Sequence, residues 1–153
     1  MSAARPAETQ DLSRYIAYLP QKPPALYVDE VLALDRGKSV AGSVHFPVGH
    51  PVFANHLPGN PLVPGVILVE ALAQLSAIAL VPTGRPRPIR GYLGEVTCVR
   101  FRRKVRPGET VHLQCELLHR FATAARFSVR ATVDGEIAAE GEIAVGGAEI
   151  DGE

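Results

Sequence analysis

The sequence predicts an α+β domain in which an antiparallel sheet wraps around one long helix. Three observations lead there. Residues 66–80, VILVEALAQLSAIAL, form one long apolar run, rich in Ala, Leu, Glu and Gln, which suits a helix and exceeds an ordinary strand. From residue 89 onward the chain alternates apolar and polar side chains between turn signals, which is strand patterning. The whole chain has 153 residues, enough for a single core to bury about two-thirds of the unfolded surface without metal or disulfides.

Residues 11–18, DLSRYIAY, read as a short amphipathic helix capped by Asp11 and stopped by Pro20. The segment QKPPA is a loop. Residues 27–34 (YVDEVLAL) and 40–46 (VAGSVHF) read as a hairpin of two strands around the turn at residues 35–38. Residues 47–65, PVGHPVFANHLPGNPLVPG, contain five prolines and three glycines and form a loop with a restricted path. The helix that follows is apolar on nearly every side, so it is buried on most of them; Pro82 and Gly84 end it. Strands are expected at 89–101, 110–120, 124–133 and 136–145, with Pro107-Gly108 and Asp134-Gly135 as turns. A sheet of this size must cover one face with something apolar, and the single long helix is the available partner.

Apolar residues make up 46% and charged residues 21% of the chain, with 16 basic and 16 acidic side chains, so no whole-molecule field draws it to nucleic acid or a membrane. No apolar run reaches the length of a membrane span, and the first ten residues hold no apolar signal segment; a cytoplasmic protein is the expectation. Cys98 and Cys115 fit neither a metal site nor a disulfide framework and are expected to be small buried hydrophobes. Charge is distributed unevenly along the chain. Residues 85–106 carry eight basic side chains and one acidic. Within them Arg100, Arg102, Lys104 and Arg106 recur at every second position, so a strand there would place all four on one face. A solvated face accounts for any single arginine; a stripe of four suits a docking surface for an acidic partner, and a guard on a strand edge would look similar. No nucleic-acid recognition signature accompanies it.

Two ionisable side chains stand where solvation alone would not put them. His56 lies in the Pro/Gly-rich loop, and Glu70 lies within the apolar helix. Burial disfavours the charged form of a carboxyl group, which suits a general acid at neutral pH, and an imidazole nearby suits the complementary base. The helix opens at Pro64-Gly65, where backbone amides lack internal partners and the helix dipole is positive. The amide of Gly65 or Val66 could bind a carbonyl oxygen as it gains charge. Together these groups describe proton abstraction beside a carbonyl with loss of a leaving group. Each residue also has a plainer reading, Glu70 as a partner of Gln74 one turn away and His56 as a structural loop residue. His50 matches no metal spacing with His56; His45, His112 and His119 fall in expected strands as packing or surface residues.

The segment NHLPGNPLVPGVILVEALAQ, residues 55–74, closely resembles the active-site block of the FabZ-type 3-hydroxyacyl-[acyl carrier protein] dehydratases. That block reads Gly-His-Phe-Pro-Gly, then Pro-Gly before an apolar run, then Glu-Ala-Met/Leu-Ala-Gln. His56, Pro58, Gly59, Pro61, Pro64, Gly65, Glu70 and Gln74 fall in register with it. YLPQKPPALYVDEVL resembles the family's opening, YLGEVTCVRFRRKVRPGE its strand and Pro-Gly turn, and VDGEIAAEGE its closing hairpin. The resemblance implies a hot-dog fold as one domain over residues 1–153, with a core at about 11–146 and flexible tails at 1–10 and 147–153. It implies a homodimer, or a higher assembly of dimers, in which His56 of one protomer faces Glu70 of the other. By the same resemblance His56 removes the C2 proton, Glu70 helps the 3-hydroxyl leave as water, and the Gly65 amide holds the thioester carbonyl. Pro64, Val66, Gln74 and Tyr92 then border the substrate, Tyr92 where some members have a tyrosine gating the acyl tunnel. No cofactor or metal is implied. An acidic acyl carrier protein becomes the partner for Arg100, Arg102, Lys104 and Arg106. Asn55 and Leu57 flanking His56, Lys104 in place of a proline, and Gln21-Lys22 in place of His-Arg depart from the family pattern. They make a specialised pathway, such as polyketide or polyene assembly, an expectation beside fatty acid synthesis. A hot-dog thioesterase and a non-catalytic acyl-binding subunit are the competing readings.

Overall fold

The computed structural model describes residues 11–54, 59–81 and 91–147. The expectations placed on residues 1–10, on 55–58 with His56, on 82–90 and on 148–153 lie outside them. Six antiparallel strands form one sheet in the order β1-β2-β4-β5-β6-β3, comprising β1 (Glu30–Asp35), β2 (Ser39–His45), β3 (Tyr92–Phe101), β4 (Thr110–Arg120), β5 (Ala124–Val133) and β6 (Glu136–Gly146). Among the described residues one α-helix, α1 (Gly65–Ile78), packs against β2 to β6. This is the hot-dog arrangement, with α1 as the filling.

Strand patterning explains why the sheet turns one face to α1. In β4 the residues Val111, Leu113 and Cys115 are buried while their neighbours are exposed, and Phe127, Val129 and Ala131 of β5 continue the same inner face. The alternation follows from the two-residue period of a strand. From α1, Leu68, Leu72, Leu75 and Ile78 enter this core. Their three- and four-residue spacing keeps them on the sheet-facing side. Gly42 of β2 lets helix and sheet approach closely. A Cβ there would lie 2.5 Å from the Glu30 carbonyl oxygen and 2.9 Å from Leu75 Cδ1.

Several expectations need correction. The N-terminal helix is a 3₁₀ helix, Leu12–Tyr18, capped as expected by Asp11, whose carboxylate accepts the Ser13 amide at 3.1 Å. The first strand starts at Glu30 rather than at residue 27, and β3 starts at Tyr92. β3 ends at Phe101 as expected, and the amides of Arg102 and Arg103 both turn toward the Ala138 carbonyl, at 2.8 and 3.4 Å. Arg100 within the strand and Arg102, Lys104 and Arg106 beyond it are all exposed. Cys98 is exposed rather than buried; it sits at φ 51° in an irregularity of β3. Cys115 is buried as expected, and burial pushes its thiol up to about 12.

Candidate active site

The loop before α1 is fastened at both ends. At its start His50 caps a short 3₁₀ turn, Pro51–Phe53, with Nδ1 accepting the Val52 amide at 3.0 Å. Its ring packs against Phe46 at 5.4 Å between centroids and lies near Tyr27 and Phe53. His50 is therefore a structural cap set among aromatic rings. At the loop's end the Val63 amide donates to the Val105 carbonyl at 2.8 Å. That bond anchors the approach to the helix on the segment following β3. Gly59, at φ 83°, makes a left-handed turn that glycine adopts without steric cost.

Helix α1 opens with amides that have no acceptor among the described residues. Pro64 occupies the cap position and offers no side-chain hydrogen bond, and the Ile67 amide reaches back to the Pro64 carbonyl at 2.9 Å. The amides of Gly65 and Val66 have no acceptor among the described residues. They are the orphan donors of a helix start, with the positive end of the dipole behind them. Val66 is 73% exposed, so this helix end is open.

Val66, Glu70 and Gln74 follow at four-residue intervals and share one helix face. Along it the surroundings grade from open Val66 through half-buried Glu70 to Gln74, which is 2% exposed. Gln74 is held by three hydrogen bonds. Its Nε2 donates to Glu70 Oε1 and to the Ala25 carbonyl, both at 2.9 Å, and its Oε1 accepts the Tyr27 amide at 2.8 Å. Because the Tyr27 amide can only donate and the Ala25 carbonyl can only accept, the orientation of the amide is decided. Gln74 must donate to Glu70 Oε1, which leaves Oε2 outside that bond. The expected partnership of Glu70 with Gln74 is thus present, and it orients the carboxyl group.

Tyr92 begins β3 and is 70% exposed. The aromatic ring that meets the helix start is Phe101, which sequence reasoning missed. A Cβ at Gly65 would lie 2.8 Å from Phe101 Cε1. Its signal in the sequence was an aromatic residue interleaved between Arg100 and Arg102, pointing to the opposite side of the strand. The basic residues divide into two groups. Arg103 binds Glu109 in a two-pronged pair at 2.8 and 2.9 Å and also reaches Glu136, while Arg102 pairs with Glu140 at 2.9 Å. Arg100 and Lys104 are exposed and have no carboxylate partner among the described residues. Arg106 is exposed too; its backbone amide donates to Glu109.

Comparison with known proteins agrees with this geometry. A family model described as a FabA-like domain matches residues 19–142. The chain is 40% identical over 125 residues to the 3-hydroxyacyl-[acyl-carrier-protein] dehydratase FabZ of Thermomicrobium roseum, covering 82% of this chain and 84% of the relative. It is 38% identical over 131 residues to the FabZ of Rickettsia rickettsii, covering 85% and 90%. Among solved structures, a chain of the dehydratase heterocomplex ApeI:P from Xenorhabdus doucetiae superposes with a TM-score of 0.74 at 18% identity, over 86% of this chain and 89% of that one. A hypothetical thioesterase from Streptococcus pneumoniae, solved with coenzyme A, superposes with a TM-score of 0.58 at 14% identity, over 76% and 83%. At such identities these two structures speak for the fold alone. The match over most of the length, with Glu70, Gln74 and the open helix end in place, makes the chain a member of the FabA-like family, among the FabZ-type 3-hydroxyacyl-[acyl carrier protein] dehydratases.

Proposed function

We propose that the chain removes water from 3-hydroxyacyl thioesters carried on acyl carrier protein, with His56 as base, Glu70 as acid and the Gly65 amide as oxyanion donor. His56 takes the C2 proton, and the electron pair moves into the thioester, placing charge on its carbonyl oxygen. The Gly65 amide, at the positive end of α1, stabilises that oxygen. As the pair returns to form the C2–C3 double bond, Glu70 Oε2 delivers its proton to the departing 3-hydroxyl. The products are a trans-2-enoyl thioester and water. The observation that carries the reading is the carboxyl group of Glu70, locked by Gln74 on the face of α1 that leads up to the unpaired amides.

Gly65 and Glu70 are five residues apart, or about 7.5 Å along the axis. That span fits a carbonyl bound at the helix end with the C3 hydroxyl lying along the helix face. The base is read as coming from the second protomer of a homodimer. In support, β3 is an edge strand that exposes Tyr92, Val96 and Phe101; a second copy pairing there would cover them. The cations Arg100, Lys104 and Arg106 are read as the docking points for acidic carrier protein, with Arg102 contributing less because Glu140 already engages it. Straight-chain fatty acid synthesis and a polyketide or polyene pathway share this chemistry.

The test follows the absorbance of the conjugated enoyl thioester formed from a 3-hydroxyacyl thioester, with free thiol measured in parallel. His56→Ala and Glu70→Gln should each lower turnover at least ~10²-fold, the lower range for general acid–base groups. Free thiol without enoyl product would point to a thioesterase instead. Near-normal turnover in either variant would remove that residue from the mechanism.

A further inference from the structure

A side chain at position 65 would crowd the ring of Phe101. The φ of Gly65 is not positive, so backbone freedom does not explain the glycine. A Cβ there would lie 2.8 Å from Cε1, 2.9 Å from Cζ and 3.0 Å from Cδ1 of Phe101. Three consecutive atoms of one ring edge therefore occupy the space that a side chain at position 65 would enter. The backbone beneath the ring is fixed as well. Phe101 pairs with Ala139 at the end of β3, and a few residues later the Val105 carbonyl takes the Val63 amide. The strand that carries the ring is thus tied to the loop that opens the helix. Yet Phe101 remains 53% exposed, so it does not fill the core. It lies at the surface beside the start of α1.

We infer that Phe101 is a positioning residue for the dehydration, holding the Gly65 amide in place and keeping water from one side of it. The inference rests on Gly65 being the oxyanion donor. Hydrogen bonds strengthen where the local dielectric is low, and a preorganised donor stabilises developing charge more than a mobile, hydrated one. An aromatic edge against the helix start supplies both conditions. Its contribution falls on the step in which charge develops, and so on kcat more than on KM. Glycine at 65 and the ring at 101 are consequently a matched pair, each suited to the other's shape.

The test uses four variants of the full chain, Phe101→Leu, Gly65→Ala, Gly65→Ala/Phe101→Leu and Gly65→Pro/Phe101→Leu, each checked for folding by thermal melting. They are assayed on a short soluble 3-hydroxyacyl thioester, so that carrier docking plays no part. Phe101→Leu should lower kcat about tenfold with little change in KM. Gly65→Ala should lose ~10²-fold or more, the scale of a displaced oxyanion donor. The Gly65→Ala/Phe101→Leu variant should regain about tenfold over Gly65→Ala alone, a non-additivity expected only of residues in contact. Proline is tolerated at the first helical position but lacks the amide proton, so Gly65→Pro/Phe101→Leu should stay inactive. Unchanged kcat in Phe101→Leu would overturn the inference, as would a Gly65→Ala/Phe101→Leu variant no faster than Gly65→Ala. If in that case the proline variant is slower still, the amide keeps its place as donor. Equal turnover of the proline and alanine double variants would remove the donor itself, and the inference with it.

Discussion

Gln74 shows how much of the site depends on one neutral amide. Its donors and acceptor are all used, by Glu70, the Ala25 carbonyl and the Tyr27 amide, and it is nearly sealed from solvent. Leucine at this position would fit the volume but leave a backbone donor and a backbone acceptor without partners. Each such group costs about 1–3 kcal/mol when buried. Gln74→Leu should therefore lower stability in a urea melt by about 2 kcal/mol or more and lower kcat as well, because Glu70 Oε1 loses its anchor. A variant that kept both full stability and full kcat would show that the network neither supports the fold nor orients the acid. Glu70 within this network and Gly65 at the helix start were legible in the sequence as a carboxylate in an apolar run and a glycine at a helix start. The three-way bonding of Gln74 was only half legible. Its contact with Glu70 follows from four-residue spacing, but Tyr27 and Ala25 lie 47 and 49 positions away.

At the scale of elements, local periodicity located most of the fold. β4 and β5 have the expected boundaries, and α1 begins one residue earlier and ends two residues earlier than expected. The late start of β1 has a physical cause, a distant side chain that competes for a backbone group. β1 was expected from residue 27, but the Tyr27 amide is taken by Gln74, and the β1–β2 ladder begins at Glu30. Past the expected end of β3 at Phe101, Arg103 pairs with Glu109 and Glu136 and the chain turns. Glu109 is central to that turn, accepting from both terminal nitrogens of Arg103 and from the Arg106 amide. The Arg103 guanidinium holds the Glu109 carboxyl below its ordinary value, even though partial burial acts in the opposite direction. The stability this provides is present above the unfolded-state value of 4.5 and is lost as pH falls through the lower folded-state value. Wild type should thus lose more stability than Glu109→Gln between about pH 5 and about pH 3, measured by denaturant midpoints. Parallel curves for the two proteins would show that the pair contributes nothing through its charge.

For the molecule as a whole, two surfaces matter. An edge strand with apolar side chains on view invites pairing with a second copy, and Val96 in the middle of β3 is exposed. A charge introduced there by Val96→Asp should shift the protein toward monomer in sedimentation velocity and reduce dehydration in parallel, since the base is read as coming from the partner. Loss of the dimer with full activity would place base and acid within one chain. The second surface is cationic. Reversing Arg100 and Lys104 to glutamate should raise KM for carrier-bound substrate at least several-fold while sparing short soluble thioesters, and added salt should narrow the difference. Equal loss on both substrates would remove these residues from docking.

The chain's own order of residues determined the features set by local spacing. These include a long apolar helix, strands with a two-residue rhythm, a proline- and glycine-restricted loop between them, and the register of histidine, glycine and glutamate that marks the family. Such features depend on neighbours within a few turns, so they can be read without knowing where distant segments meet. Packing decided the rest. It brought Phe101 against Gly65, gave Gln74 its partners before β1, and paired Arg102, one of the four cations of the stripe, with Glu140 of β6, while Arg103 beside it pairs with Glu136 of the same strand. These contacts join residues that only the curling of the sheet around α1 brings together, and no period in the sequence encodes that encounter.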